Sequence, residues 1–178
     1  TQYAGSSRSS NTLLSFLGRA NYNYNEKYLV TLSARYDGSS KFADGNKWGF
    51  FPSAAFAWRL INESFVKNMN VFDDLKFRVS YGKTGNQSIN NNNSQPLLGT
   101  TGITPGVIGG LKVNPIAPTV PGNSDLTWEK TGQFDIGLDF AFFNSRLRGG
   151  LDYYHTVTKD LLLSFNLPST SGFTSVVR

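Results

Sequence analysis

The sequence contains no cysteine and a single histidine, His155. The first absence excludes a disulfide framework, a thiol nucleophile and any thiolate metal site. The second leaves His155 without the further His or Cys that a transition-metal site needs. No run of about 18 apolar residues occurs, so no transmembrane helix is encoded. That absence does not exclude a membrane, because a barrel strand needs only about 9–11 alternating residues. Charge of one sign is not gathered anywhere. The 17 Lys and Arg and 12 Asp and Glu are interleaved along the chain, which argues against nucleic acid, whose binders cluster their bases in a patch or stripe. Nothing from Thr1 to Asn11 has the charged and apolar regions of a signal peptide, and both ends read as internal to a longer protein.

What the sequence does have is apolar–polar alternation at period two, the period of a strand whose side chains point to opposite faces in turn. Leu14, Phe16, Gly18, Ala20, Tyr22 and Tyr24 alternate with Ser15, Leu17, Arg19, Asn21 and Asn23 over Leu13 to Tyr24. After the tight turn Asn25-Glu26-Lys27, the same holds for Tyr28 to Asp37, so these two runs predict a hairpin. Further strands are predicted over Trp48–Leu60, Leu75–Gly82, Thr127–Phe143 and Arg146–Val157. Pro52 lacks the N–H a ladder needs, so it is expected at a bulge or beyond regular pairing. Between Asn62 and Asp74 the alternation breaks, and Phe65, Met69 and Phe72 recur at helical spacing behind a candidate N-cap, Asn62, predicting a short helix or compact turn. Asp160 to Leu163 reads as an extension of the last strand or the start of an excursion towards Gly172.

The predicted fold class is therefore all-β, an antiparallel meander of about six strands. The polar faces carry Arg19, Arg35, Asp37, Arg59, Arg78, Asp135, Asp139, Arg148 and Asp152. Connections on one side are mostly short: Asn25–Lys27, Asn62–Asp74 and Asn144-Ser145. On the other side they are mostly long: Gly38–Lys47, Lys83–Asp125 and the stretch after Val157. Lys83 to Asp125 has no strand period and holds Asn90 to Asn93 with Pro96, Pro105, Pro115, Pro118 and Pro121. So long a segment inside one domain is usually a functional loop or disordered. Short turns on one rim, long loops on the other and aromatic residues near both rims are the habit of outer-membrane barrels. On this reading the charged residues face a watery or plugged lumen, where Arg35 with Asp37, or Arg148 with Asp152, pair across strands or contact a polar plug, with substrate contact as the sharper alternative. A soluble antiparallel sandwich carries the same alternation and stays open as an alternative.

Several chemical motifs fail on their own terms. Gly82-Lys83-Thr84 looks like the end of a phosphate-binding loop, but Phe77 stands where that loop needs glycine and no helix is predicted to follow. Asp37 and Asp44 flank a Gly/Ser loop without the ligand spacing of a calcium site. Asp73-Asp74 are adjacent in a turn, where side chains diverge, so no acid–base pair and no enzyme activity is indicated.

A specific string of residues then stands out. Tyr36-Asp37-Gly38-Ser39-Ser40-Lys41-Phe42 is followed by Trp48-Gly49-Phe50-Phe51-Pro52-Ser53 and Ala57-Trp58-Arg59. Next come Leu75 to Gln87, with Gly82-Lys83-Thr84-Gly85-Asn86 at its end, then Leu126-Thr127-Trp128-Glu129-Lys130-Thr131 and Asp152-Tyr153-Tyr154. Together these resemble the barrel of the SusC/RagA family of TonB-linked outer-membrane transporters, over nearly the whole chain and most thinly from Ser88 to Asn123. The resemblance implies a piece of a large barrel, without its plug domain and its barrel-closing C-terminal strand, in the outer membrane of a Gram-negative bacterium. It implies import of oligosaccharides or peptides, a SusD-like lipoprotein over the extracellular mouth, a TonB complex acting from the periplasm, and outer-membrane lipid around the wall. It implies no cofactor and makes 83–125 a long extracellular loop. A passive porin or another outer-membrane barrel is the runner-up, and a soluble β-sandwich binding module the third reading.

Overall fold

The computed structural model describes residues 8–91, 93–99, 106–113 and 116–178. Asn92, Pro105 and Pro115, read above as loop residues, lie outside the described residues. The strands are β1 (Leu13–Tyr24), β2 (Tyr28–Ser39), β3 (Trp48–Arg59), β4 (Asp74–Asn86), β5 (Leu97–Gly99), β6 (Gly106–Ile108), β7 (Leu111–Val113), β8 (Ala117–Val120), β9 (Glu129–Phe142), β10 (Leu147–Lys159), β11 (Ser164–Asn166) and β12 (Ser175–Val177). The long ones form a six-stranded antiparallel sheet in the order β1-β2-β3-β4-β9-β10, a meander interrupted only by the excursion that holds β5 to β8.

Hairpin chemistry sets the register. Asn25 and Glu26 both take positive φ (50° and 54°), and the Lys27 N–H donates to the Tyr24 carbonyl. Three residues thus separate the paired Tyr24 and Tyr28, and the two consecutive left-handed residues give the turn a twist that matches the paired strands. Phe143, Asn144 and Ser145 also take positive φ at the β9–β10 turn. The resulting register puts Phe16 beside Tyr36, Tyr36 beside Phe50, Phe56 beside Val79 and Val79 beside Ile136 on one face. The sheet is a single layer. Among the described residues no second sheet covers this apolar face, and Phe16, Tyr22, Leu32, Phe50, Leu151 and Tyr153 are exposed on it. The two-layer sandwich is thereby set aside: its core would need a facing sheet.

Aromatic rows mark both ends of the apolar face. Towards the short turns, Tyr28 stacks with Tyr24 at 6.4 Å and with Trp58 at 5.9 Å. Towards the long connections, Trp48 stacks on Tyr36 at 4.8 Å and on Phe16 at 6.3 Å. Gly38 is what lets that indole lie down, since a Cβ there would come within 2.7 Å of the Trp48 ring. From Tyr28 to Tyr36 the strand runs about 26 Å at about 3.3 Å per residue, which a barrel tilt of about 35–45° shortens to roughly 20 Å across a membrane.

The structure corrects the placing of Pro52, the end of the fourth strand and the cap of the short helix, and it decides between the two readings of the stretch after Val157. Pro52 is not in a bulge: it sits in register opposite Ala34. It lies one residue outside the β3–β4 ladder, which starts at Ser53 opposite Gly82, so its missing N–H breaks no pairing on that side. Strand β4 runs on through Lys83, Thr84, Gly85 and Asn86, because β9 continues to pair with it as far as Glu129. The helix is only Ser64–Lys67 (α1), preceded by a 3-10 turn at Leu60–Asn62. Its buried side chain is Val66, while Phe65 and Met69 are exposed. Asn62 does not cap it, because its amide donates to the Glu26 carbonyl at 2.8 Å instead. After Lys159 the chain leaves the sheet at Asp160 (φ 56°) and folds back as the β11–β12 hairpin, with Gly172 at φ 77° between them.

Glu63 fastens the short-turn end. It accepts from Lys27 Nζ at 2.9 Å, the Tyr28 hydroxyl at 3.1 Å and the Trp58 indole at 3.2 Å. The hydrogen bond from Lys27, followed by that from Trp58, holds the Glu63 carboxyl below its ordinary value, and the same bond holds the Lys27 ammonium above its own. A depressed carboxylate contributes stability above its unfolded pKa and loses it as pH falls through the folded value. A raised ammonium contributes below its unfolded pKa and loses it as pH rises through the folded value. Both contributions are thus complete at neutral pH. In the full-length receptor, acidification through the carboxylate range is expected to lower the thermal unfolding midpoint. Glu63→Gln should lower it already at neutral pH and flatten that acid response, read by gel-shift heat titration at two pH values. An unchanged acid response in the variant would remove Glu63 from this role.

Candidate functional site

The base of the long connections is built largely from residues that the family-like string contains, together with Ile89 outside it. Phe42, Phe51, Ile89, Leu126 and Trp128 form the buried cluster, with Leu162 and Val177 packed against it. These come from the β2–β3 connection, β3, the segments flanking β5 to β8, and the stretch after β10. Small residues make the space. A Cβ at Gly49 would lie 2.5 Å from the Phe51 ring, and one at Gly85 only 2.0 Å from it, so glycine at both positions is what allows Phe51 to lie there. Trp128 meets Phe42 at 5.3 Å and Phe51 edge-on at 5.4 Å, and its indole N–H donates to the Lys47 carbonyl at 3.0 Å.

Polar side chains tie the same connections together. Ser39 is buried, and its hydroxyl accepts from the Lys41 N–H. Ser40 accepts from the Thr12 N–H at 2.9 Å, joining the start of β1 to this loop. Lys41 Nζ donates to the Gln87 carbonyl, and Ser94 donates to the Lys41 carbonyl at 2.9 Å. Asn86 donates to Glu129 at 3.2 Å across the β4–β9 pair. Asp37 is buried and takes Arg35 Nε on Oδ2 at 2.7 Å, while its Oδ1 has no hydrogen-bond partner. The Arg35 guanidinium lies 5.8 Å over the Phe51 ring. Asp44 is not near Asp37 in role: it pairs with Lys47 in an exposed turn.

Of the other residues in the string, Trp48, Phe50, Pro52 and Lys83 lie on the apolar face by register, with Gly38. Gly82 and Thr84 lie on the opposite face, Gly82 with Ser53 as its partner across the ladder. Lys83 and Thr84 are strand residues with no helix after them, so the phosphate-loop likeness has no structural counterpart.

The register places Arg19, Arg35, Asp37, Arg59, Arg78, Asp135, Asp139, Arg148 and Asp152 all on one face of the sheet. They do not all meet. Arg78 binds Asp139 through Nε and Nη2, each at 2.8 Å, and its Nη2 also reaches Asp152 at 2.9 Å. That reach from β4 to β10 crosses β9 at Gly137, where a Cβ would lie 2.4 Å from Asp152 Oδ1. Lys76, which the sequence pattern did not single out, completes the network at 3.0 Å from Asp139. The expected pairing of Arg148 with Asp152 is not formed, because Arg78 occupies Asp152. Arg35 and Asp37 do pair, but along one strand rather than between strands. Asp135 accepts from Ser80 and Gln133, while Arg19, Arg59 and Arg148 have no carboxylate within ion-pair distance among the described residues. Asp73 and Asp74 diverge, Asp73 accepting from the Ser145 N–H at 2.9 Å. All these charged side chains are half-exposed or exposed apart from Asp37, so each pair contributes modestly to stability.

This geometry can be set beside known proteins. A family model described as TonB dependent receptor-like, beta-barrel matches residues 1–177. TonB-dependent receptor P26 of Formosa agariphila is 44% identical over 163 residues, covering 92% of this chain and 16% of that protein. TonB-dependent receptor SusC of Bacteroides thetaiotaomicron is 40% identical over 175 residues, again 92% of this chain and 16% of its own length. Among solved structures, the RagAB peptide transporter superposes with a TM-score of 0.81 at 34% identity, over 94% of this chain and 18% of that one. The chain thus spans roughly a sixth of the relatives it matches. Members of this family are outer-membrane transporters and receptors. With its meander, its glycine-seated aromatic cluster and its matched length, the chain belongs to the TonB-dependent receptors, as a stretch of the β-barrel of the SusC/RagA kind.

Proposed function

We propose that this chain is a wall segment of a TonB-dependent transporter that imports oligosaccharides or peptides across the outer membrane of a Gram-negative bacterium. The observation that carries the proposal is the single-layer sheet whose exposed apolar face is framed by aromatic rows while its other face is charged. In a membrane the first face meets lipid and the second lines the lumen. The Lys76–Asp139–Arg78–Asp152 network then stiffens the lumen wall, and the cations without carboxylate partners remain available to plug or substrate. The long connections lie outside the cell, where they meet substrate and a SusD-like lid lipoprotein. The plug and the TonB complex act from the short-turn side. Nothing in this reading calls for a catalytic residue or a cofactor.

A passive porin shares the wall architecture and differs in its energetics. Collapsing the proton-motive force with a protonophore is expected to stop uptake through the full-length receptor in intact cells while leaving surface binding of substrate in place. Uptake that continues at its original rate after collapse would make the protein a passive pore.

A further inference from the structure

A charged recess lies on the face where the sheet is otherwise apolar. Three register rows across β4, β9 and β10 build it at the long-connection end. The inner row is Tyr81, Phe134 and His155; the next is Lys83, Gly132 and Val157; beyond it Lys130 and Lys159 close the rim. Strand parity places these eight on the apolar face, so Lys83, Lys130 and Lys159 surround Gly132 rather than joining the lumenal network. With Asp160 they enclose a hollow of about 350 Å³. Gly132 opens its floor, and the Tyr81 hydroxyl leans across it, 3.3 Å from where a Cβ would stand. Lys130 pairs with Asp160 at 3.3 Å, while Lys83 and Lys159 have no carboxylate within ion-pair distance among the described residues.

Three ammonium groups against one carboxylate leave a net positive recess at the upper edge of an apolar band. A lysine at the end of a membrane strand commonly extends its ammonium to the interface. Three that converge from separate strands on a glycine-floored hollow, directly above Tyr81, Phe134 and Val157, do more than anchor a rim. They match a molecule with phosphate at one end and acyl chains at the other. We propose that this recess is a binding site for a phosphorylated glycolipid of the outer leaflet, its phosphate held by Lys83, Lys130 and Lys159 and its acyl chains lying on Tyr81, Phe134 and Val157. The inference rests on the reading that the long-connection rim faces the outside of the cell.

The test uses the full-length receptor purified in detergent, with lipid A carrying its phosphate as probe and native mass spectrometry as readout. The variant Lys83→Gln/Lys130→Gln/Lys159→Gln is expected to lose affinity by about a hundredfold, from about a fivefold share for each of the three charges near an anionic headgroup. Gly132→Leu keeps every charge but fills the floor, and it should also weaken retention. Dephosphorylated lipid A should bind wild type and the triple variant alike. The proposal is overturned if phosphatidylglycerol is retained as well as lipid A, if Gly132→Leu binds like wild type, or if inorganic phosphate displaces the lipid completely. Gel-shift heat titration confirms that each variant is a folded barrel. Labelling of a cysteine placed in the β6–β7 hairpin on intact cells reports orientation separately. Unlabelled cells would sink the topology, whereas labelled cells with unselective lipid binding would sink this site alone.

Discussion

Replacing Trp128 by alanine is expected to destabilise the long-connection base by about 3–5 kcal/mol, the usual cost of truncating a buried large aromatic. Trp128 is only 2% exposed, and its ring is the shared neighbour of Phe42 and Phe51. Its loss leaves a cavity among side chains from separate connections and removes the bond to the Lys47 carbonyl. Trp128→Phe keeps most of the ring and gives up that bond, so it should cost about 1 kcal/mol for the bond plus a smaller packing loss. Phe50→Ala is the contrasting control, because Phe50 is 58% exposed on the apolar face and lies outside the cluster. Limited proteolysis of the full-length receptor in detergent reads the effect. In Trp128→Ala, cleavage between Gln87 and Leu126 should accelerate well before the barrel itself unfolds. Equal cleavage of Trp128→Ala and Phe50→Ala would mean that the cluster does not hold the connections.

Excision of residues 97–120 is expected to abolish most uptake while leaving the barrel assembled. The sequence pattern marks the whole of Lys83 to Asp125 as loop, but the structure narrows where it can be cut. Lys83 to Asn86 belong to β4, Ile89 and Leu126 belong to the buried cluster, and the Asn123 N–H donates to the Asn93 carbonyl at 2.9 Å. Leu97 pairs with Val120, so the two ends of the excised segment already lie side by side. Gly122 (φ 65°) closes the chain against the Gln95 backbone, where a Cβ would stand 2.4 Å from the carbonyl carbon. Joining Pro96 to Pro121 through two glycines therefore keeps the base and removes only the β5–β8 excursion. A tenfold or greater fall in uptake is expected, the ratio that about 1.4 kcal/mol of lost binding gives. Heat-modifiable migration of the protein should be unchanged. Wild-type uptake by the excised receptor would move substrate and lid contact elsewhere on the rim.

The parts of the site that were legible in the sequence share one cause. Alternation is a local signal, so all nine charged residues assigned to one face are found on one face. The end of β4 was not legible, since Lys83-Thr84-Gly85-Asn86 has no apolar member to alternate, and its strand state comes from pairing with Glu129 to Gly132. Nor was the loop base. Phe42, Ile89 and Leu126 stand in segments without any period, and only their meeting around Phe51 and Trp128 makes them a core. The helical spacing of Phe65, Met69 and Phe72 misled because those positions do not share a buried face. Phe72 packs on Phe142 at 5.0 Å, while Val66 is the residue that α1 buries.

The sequence by itself determined the six long strands, their two faces and the family; the faces follow because the pleat fixes side-chain direction every second residue whatever the strand's neighbours are. Only the tertiary structure decided which side chains meet. The stagger of β4, β9 and β10 brings Arg78 over Gly137 to Asp152, leaving Arg148 aside. The same stagger draws Lys83, Lys130 and Lys159 around Gly132 from positions far apart in the chain. A contact between strands depends on register as well as parity, and register is set by turns and ladders that alternation does not encode.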